Sequence, residues 1–217
     1  MKKKIVAAAL AAVLLVGVSV AGTLAWLVDS TDSVTNTFTY GNINIDLTET
    51  DTNLDEDNNP ATNSYELIPG ETTAKDPTVT VEAGSEACWL FVKIEELYND
   101  AGDSQKYIQY SMADGWNALT GYTGVYWRTV SAIAENADDA SYPVLLNNQV
   151  TANGEKVTKA YVDSVEAGTV NEPQLIFTAA AVQSDNLKDA QGAAVTTAAG
   201  AAAFLPTGFL PVATPTT

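Results

Sequence analysis

The segment Cys88–Leu97 alternates from end to end. Cys88, Leu90, Val92 and Ile94 fall on one side of an extended chain, and Trp89, Phe91, Lys93 and Glu95 on the other. Successive strand side chains point to opposite faces, so a sustained period of two marks a strand with a face on a core. Shorter runs repeat the pattern. Residues 42–47 put Ile43, Ile45 and Leu47 on one face, and residues 78–82 turn Val79 and Val81 inward. Val125–Val130, residues 144–150, residues 161–165 and Gln174–Gln183 read the same way. Turn residues separate them, in Pro69-Gly70, Ala83-Gly84, Asn147-Asn148 and Asn153-Gly154. Strands at this spacing predict an all-β fold, a β-sandwich or jelly roll with short helical insertions, over residues 40–210. Helical periodicity does not recur between the strands, which argues against a parallel α/β fold.

Three stretches break the alternation. Residues 46–58 carry six acids and no base and read as a solvated loop. Residues 131–140 and 184–204 are rich in alanine, with weak helical character, and the second is interrupted by Gly192 and Gly200. Residues 211–217 form a Pro/Thr tail expected to be mobile.

The first residues read as an export signal rather than as part of the fold. Met1-Lys2-Lys3-Lys4 is a basic start, an uncharged run follows, and small residues close it in Ala21-Gly22-Thr23-Leu24-Ala25. Two cuts satisfy the small-residue rule, after Ala21 with Ser19 at −3, or after Ala25 with Thr23 at −3. A rival reading keeps the segment as an uncleaved anchor, since residues 5–28 carry no charge and are long enough to span ~30 Å of hydrocarbon. The lysines stay inside in either case, and the rest of the chain is exported. We assign residues 1–25 as the signal peptide, with the mature chain beginning at Trp26.

Composition removes whole classes of function. The 217 residues hold 27 Asp+Glu, 10 Lys+Arg, no His and one Cys, a net charge of −17. Without His there is no Ser-His-Asp triad, no Cys-His pair and no imidazole metal ligand. One Cys makes neither an intrachain disulfide nor a thiolate cluster. The negative charge argues against nucleic acid and against anionic lipid. Residues 1–25 hold three lysines and no acid, so the mature chain carries 7 basic and 27 acidic residues, a net −20 over 192 residues.

Individual motifs are weak. Asp51, Asn53, Asp55 and Asp57 stand at alternate positions, an oxygen-rich spacing of the kind that holds calcium. An EF-hand starting at Asp51 needs Gly and Glu where Glu56 and Thr62 stand, so a solvated loop is the better reading. Cys88 reads as a small buried hydrophobe. Trp116, Tyr122, Tyr126 and Trp127 form an aromatic cluster that is either a sugar-stacking platform or core and edge packing. Leu205-Pro206-Thr207-Gly208 lacks one residue of a sortase sorting signal, together with its apolar span and basic tail. Glu95-Glu96 and Asp138-Asp139 are adjacent, and adjacent strand residues face opposite ways, so neither is an acid/base pair. We expect no enzyme and no cofactor.

Two runs carry a resemblance. Gly22-Thr23-Leu24-Ala25-Trp26-Leu27-Val28-Asp29 is followed by Asn36-Thr37-Phe38-Thr39-Tyr40-Gly41-Asn42-Ile43-Asn44-Ile45-Asp46-Leu47. They resemble the opening of the TasA/camelysin family, exported proteins of Gram-positive bacteria processed by a signal peptidase of the SipW type. Leu67-Ile68-Pro69-Gly70, Lys75-Asp76-Pro77-Thr78-Val79 and Trp89-Leu90-Phe91-Val92-Lys93-Ile94 resemble the family's early strands, and Gln174–Gln183 a late one. The resemblance implies a jelly-roll matrix protein, secreted to the extracellular matrix or cell surface, that assembles into biofilm fibres. Its partners are then further copies of itself or related matrix subunits, and the signal peptidase. The family's link to metal-dependent proteolysis finds no zinc motif here.

Cleavage after Ala25 frees residues 26–39, with Trp26, Leu27, Val28, Val34 and Phe38 as the apolar residues. Such a segment either pairs with an open sheet edge of a neighbouring subunit or folds back onto its own sheet. The alternative function is a surface module binding carbohydrate or another ligand through the aromatic cluster or the acidic loop.

Overall fold

The computed structural model describes residues 42–50 and 68–211. The signal, residues 26–39, the candidate calcium ligands Asp51, Asn53, Asp55 and Asp57, and all of the tail but Pro211 lie outside them. In chain order the elements are β1 (Ile45–Thr48), β2 (Thr72–Ala74), β3 (Thr78–Val81), β4 (Cys88–Leu97), β5 (Asp100–Gly102), β6 (Gln105–Lys106), β7 (Ile108–Gln109), β8 (Asn117–Ala118), β9 (Val125–Val130), β10 (Ala140–Pro143), β11 (Gln149–Ala152), α1 (Lys159–Glu166), β12 (Gln174–Gln183) and α2 (Ala198–Ala202). Two short helices among these strands make the described protein all-β.

β4 lies at the centre because both of its faces are apolar. Its sheet has four strands in the order β12-β4-β9-β8, every pair antiparallel. β12 pairs with β4 along its whole length, from Gln174 opposite Leu97 to Gln183 opposite Cys88. Just before β9 the two chains come so close that a Cβ on Gly124 would stand 2.5 Å from the Ile94 carbonyl oxygen, and Gly124 itself has φ +75°. Only glycine fits there.

Two three-stranded sheets, β1-β3-β10 and β2-β11-β7, supply the opposing layer. Val79 and Val81 of β3, Ile108 of β7 and Val150 of β11 join Cys88, Leu90, Val92 and Ile94 of β4 in one buried cluster. The assignment of faces within β4 is therefore the one the alternation predicts. The face carrying Trp89 and Phe91 is covered as well. Phe91, Val125, Ala180 and Val182 form a second cluster with Ala198, Ala201 and Ala202 of α2 and with Phe209. The residues that α2 gives to this cluster are all alanines, small side chains that fill the space left beside Phe91 and Phe209.

Several expectations need correction. Residues 161–165 are not a strand but the middle of α1. Thr158 caps that helix by accepting from the Tyr161 N–H, and Lys159 pairs with Asp163 one turn on. Tyr161 stacks on Tyr107, ring centroids 4.0 Å apart. Residues 144–150 are interrupted by a 3-10 turn, Leu146–Asn148, where Asn147 has φ 56°. Residues 131–140 contain no helix, and within 184–204 the helix is confined to Ala198–Ala202. Its cap is Thr197, which accepts from the Gly200 N–H.

Candidate functional site

Two outer strands stand on one side of the molecule. β12 ends the four-stranded sheet and β1 ends the sheet β1-β3-β10, each with one strand neighbour among the described residues. They approach within 8 Å between Cα atoms. β12 reads QLIFTAAAVQ, ten residues with no charge and no proline. Edge strands usually carry lysine, proline or a bulge to discourage pairing with another chain, and this one has none of them. Ile176, at its exposed end, is 41% exposed.

The aromatic cluster does not form one platform. β9 pairs in register with β4, so Tyr126 falls opposite Val92 and Trp127 opposite Phe91. Trp116 and Tyr126 consequently belong to the core between the layers, and Tyr122 and Trp127 to the cluster under α2. Trp127 packs against Trp89, centroids 5.2 Å apart. Packing is what these four rings do.

Cys88 is fully buried, and burial pushes its thiol up to about 11. That is the opposite of what a nucleophile needs. The run Leu205-Pro206-Thr207-Gly208 is a tight turn in which the Phe209 N–H bonds to the Pro206 carbonyl, Gly208 has φ +86°, and Phe209 is buried. Gly208, third residue of that turn, supplies the positive φ it requires. Glu95 and Glu96 diverge as adjacent strand residues must. Glu95 pairs with Lys93 at 2.9 Å, whereas Glu96 enters a separate network.

In that network Glu96 accepts from Tyr110 Oη at 2.6 Å, from Asn99 Nδ2 at 2.9 Å and from Lys106 Nζ. Buried Asn99 also holds the Ile108 backbone, accepting from its N–H at 2.6 Å and donating to its carbonyl at 3.0 Å. Burial pushes the Glu96 carboxyl up, but the donors from Lys106, Tyr110 and Asn99 outweigh it and hold the group below its ordinary range. Tyr110 is driven far above its ordinary value, first by burial and then by Glu96. The network fastens the β5–β6 hairpin and β7 to the end of β4.

Arg128 is the sole arginine of the chain. Its guanidinium carbon lies 4.1 Å from the Tyr142 ring centroid and 5.5 Å from that of Trp116. The rings are themselves fixed, because Trp116 Nε1 donates to the Pro143 carbonyl at 2.8 Å, beside Tyr142 in sequence. Gly115, φ +89°, leaves room for the group, since a Cβ there would stand 3.0 Å from Nη2. No carboxylate among the described residues forms an ion pair with Arg128. Its Nε is enclosed without a hydrogen-bond partner. Sequence reading passed over this residue, although a lone arginine within an aromatic-rich segment was signal enough.

Among the described residues no three acidic, Cys or His side chains gather where they could hold a metal ion. An open groove lined by Asp189, Thr197, Phe204 and their neighbours has one acid, whose Oδ1 already accepts from the backbone of Gln191 and Ala193. Fold and site together define an all-β protein in which the outer strands β1 and β12 lie side by side among the described residues. No family model matches the chain, and no curated protein or solved structure matches it either.

Proposed function

We propose that this chain is an exported structural subunit of an extracellular matrix, a jelly roll that builds fibres by exchange of its N-terminal segment. The observation that carries the reading is β12, a ten-residue outer strand without charge or proline, lying beside the outer strand β1. A strand from another copy added there gains backbone hydrogen bonds along its length and covers an edge left without a gatekeeper. The signal-like residues 1–25 and the family-like run 22–47 support export, with processing after Ala25 and residues 26–39 as the donor segment. Repeated head to tail, such a contact does not close on itself and yields a filament. The second reading, a carbohydrate-binding surface module, needs a platform other than the four aromatics, which lie on opposite faces of one sheet.

Electron microscopy of the purified exported protein tests the proposal. Fibres are the expected result. A monodisperse monomer at high concentration overturns it and favours the binding module.

A further inference from the structure

We propose that Arg128, clamped between Tyr142 and Trp116, is a binding site for a carboxylate. In a chain with 27 acids, an arginine unpaired among the described residues departs from the ordinary use of that side chain. Elsewhere Lys75 pairs with Glu49, Lys93 with Glu95, Lys106 with Glu96, Lys156 with Asp103 and Lys159 with Asp163, and among the described residues only the exposed Lys188 shares the lack of an ion pair. Arg128 has two rings in place of a carboxylate. Aromatic faces attract the cation without using its N–H donors, so the planar fork is held in place with its donors unspent.

Of the three guanidinium nitrogens, only Nε is both enclosed and unpartnered. The Nη1 and Nη2 end is therefore the edge that meets a ligand. A carboxylate suits it because two parallel N–H···O bonds match the fork, and the charge-assisted bonds are the stronger kind. Ordering costs little, since Tyr142, Trp116 and Gly115 already fix the group. The carboxylate comes from a free small acid or from an Asp or Glu side chain of a second copy. The site stands on β9, away from the β12 edge, and does not depend on the fibre reading.

The lone arginine makes the test unambiguous, because the whole chain labelled with ¹⁵N-arginine gives a single side-chain Nε–Hε NMR signal. Sodium acetate is titrated against sodium chloride at equal ionic strength, at dilute and at high protein concentration. The site predicts a saturable shift specific to acetate, half complete on the order of 10–100 mM for one charge-assisted pair. A shift that also grows with protein concentration, and that acetate reverses, identifies a side chain of a second copy as the source. A shift with acetate alone identifies a free acid. In a parallel arm, acetate raises the melting temperature of the wild type but not of Arg128→Lys, which keeps the charge and loses the fork. The proposal is overturned if the signal responds equally to acetate and chloride and is indifferent to protein concentration. An equal acetate effect on the melting of both chains also overturns it.

Discussion

Gly115 makes the clamp on Arg128 sterically exacting. Replacing it by Ala places a methyl 3.0 Å from Nη2 on a backbone at φ +89°, so the guanidinium must give by a few tenths of an ångström while the backbone stays strained. We expect Gly115→Ala to cost about 1–3 kcal/mol in urea unfolding, against about 0.5 kcal/mol or less for an exposed residue on an unstrained backbone. Glu96 gives a pH dependence. Its carboxyl is held below the ordinary range in the folded state, so its contribution is present above the unfolded value and is lost as pH falls through the folded one. Glu96→Gln is therefore expected to be less stable at pH 7 and to show a shallower loss of stability on acidification. Equal acid slopes for the two chains would remove Glu96 from the account. Cys88, with its thiol pushed up to about 11, reports on the core. It is expected to stay unreactive toward a thiol reagent at pH 8 until the protein unfolds.

The elements legible in the sequence are those whose alternation is long enough to exceed chance. β3, β4, β9 and β12 lie within their expected runs, and β1 overlaps its run and ends one residue beyond it, because each turns at least one apolar face inward. The two- and three-residue strands β2, β5, β6, β7 and β8 were not legible, since they are mostly polar and exist through long-range pairing. α1 stands where a strand is expected because Tyr161, Val162 and Val165 fit a helical turn, while Asp163 breaks the alternation a strand would need. The second covered face of β4 was legible in Trp89 and Phe91, while what covers it was not. Alanines offer little periodic contrast, so α2 left only a weak signal. Two substitutions separate core from edge at this scale. Val92→Asp buries a charge at the centre of β4 and should leave no cooperative melt, at a cost of about 3–5 kcal/mol or more. Ile176→Lys places a gatekeeper charge on the exposed end of β12 and should leave the melt within about 0.5 kcal/mol while weakening assembly. Assembly unchanged in that variant would mean that β12 is not the accepting edge.

For the whole molecule, charge and topology pull in opposite directions. On the proposed processing, a chain beginning at Trp26 carries a net −20 that repels its own copies, whereas the uncharged outer strand β12 offers an edge for pairing. Assembly should therefore strengthen with added salt, which screens the repulsion, and at acidic pH, where carboxylates take up protons. The most direct measurement is sedimentation with electron microscopy, at pH 7 and pH 5, on a chain beginning at Trp26 and on one beginning at Tyr40. The account predicts filaments from the chain that keeps residues 26–39, more of them at pH 5, and only monomers from the shorter one. Equal polymerisation of the two chains, or none from either at both pH values, would contradict it.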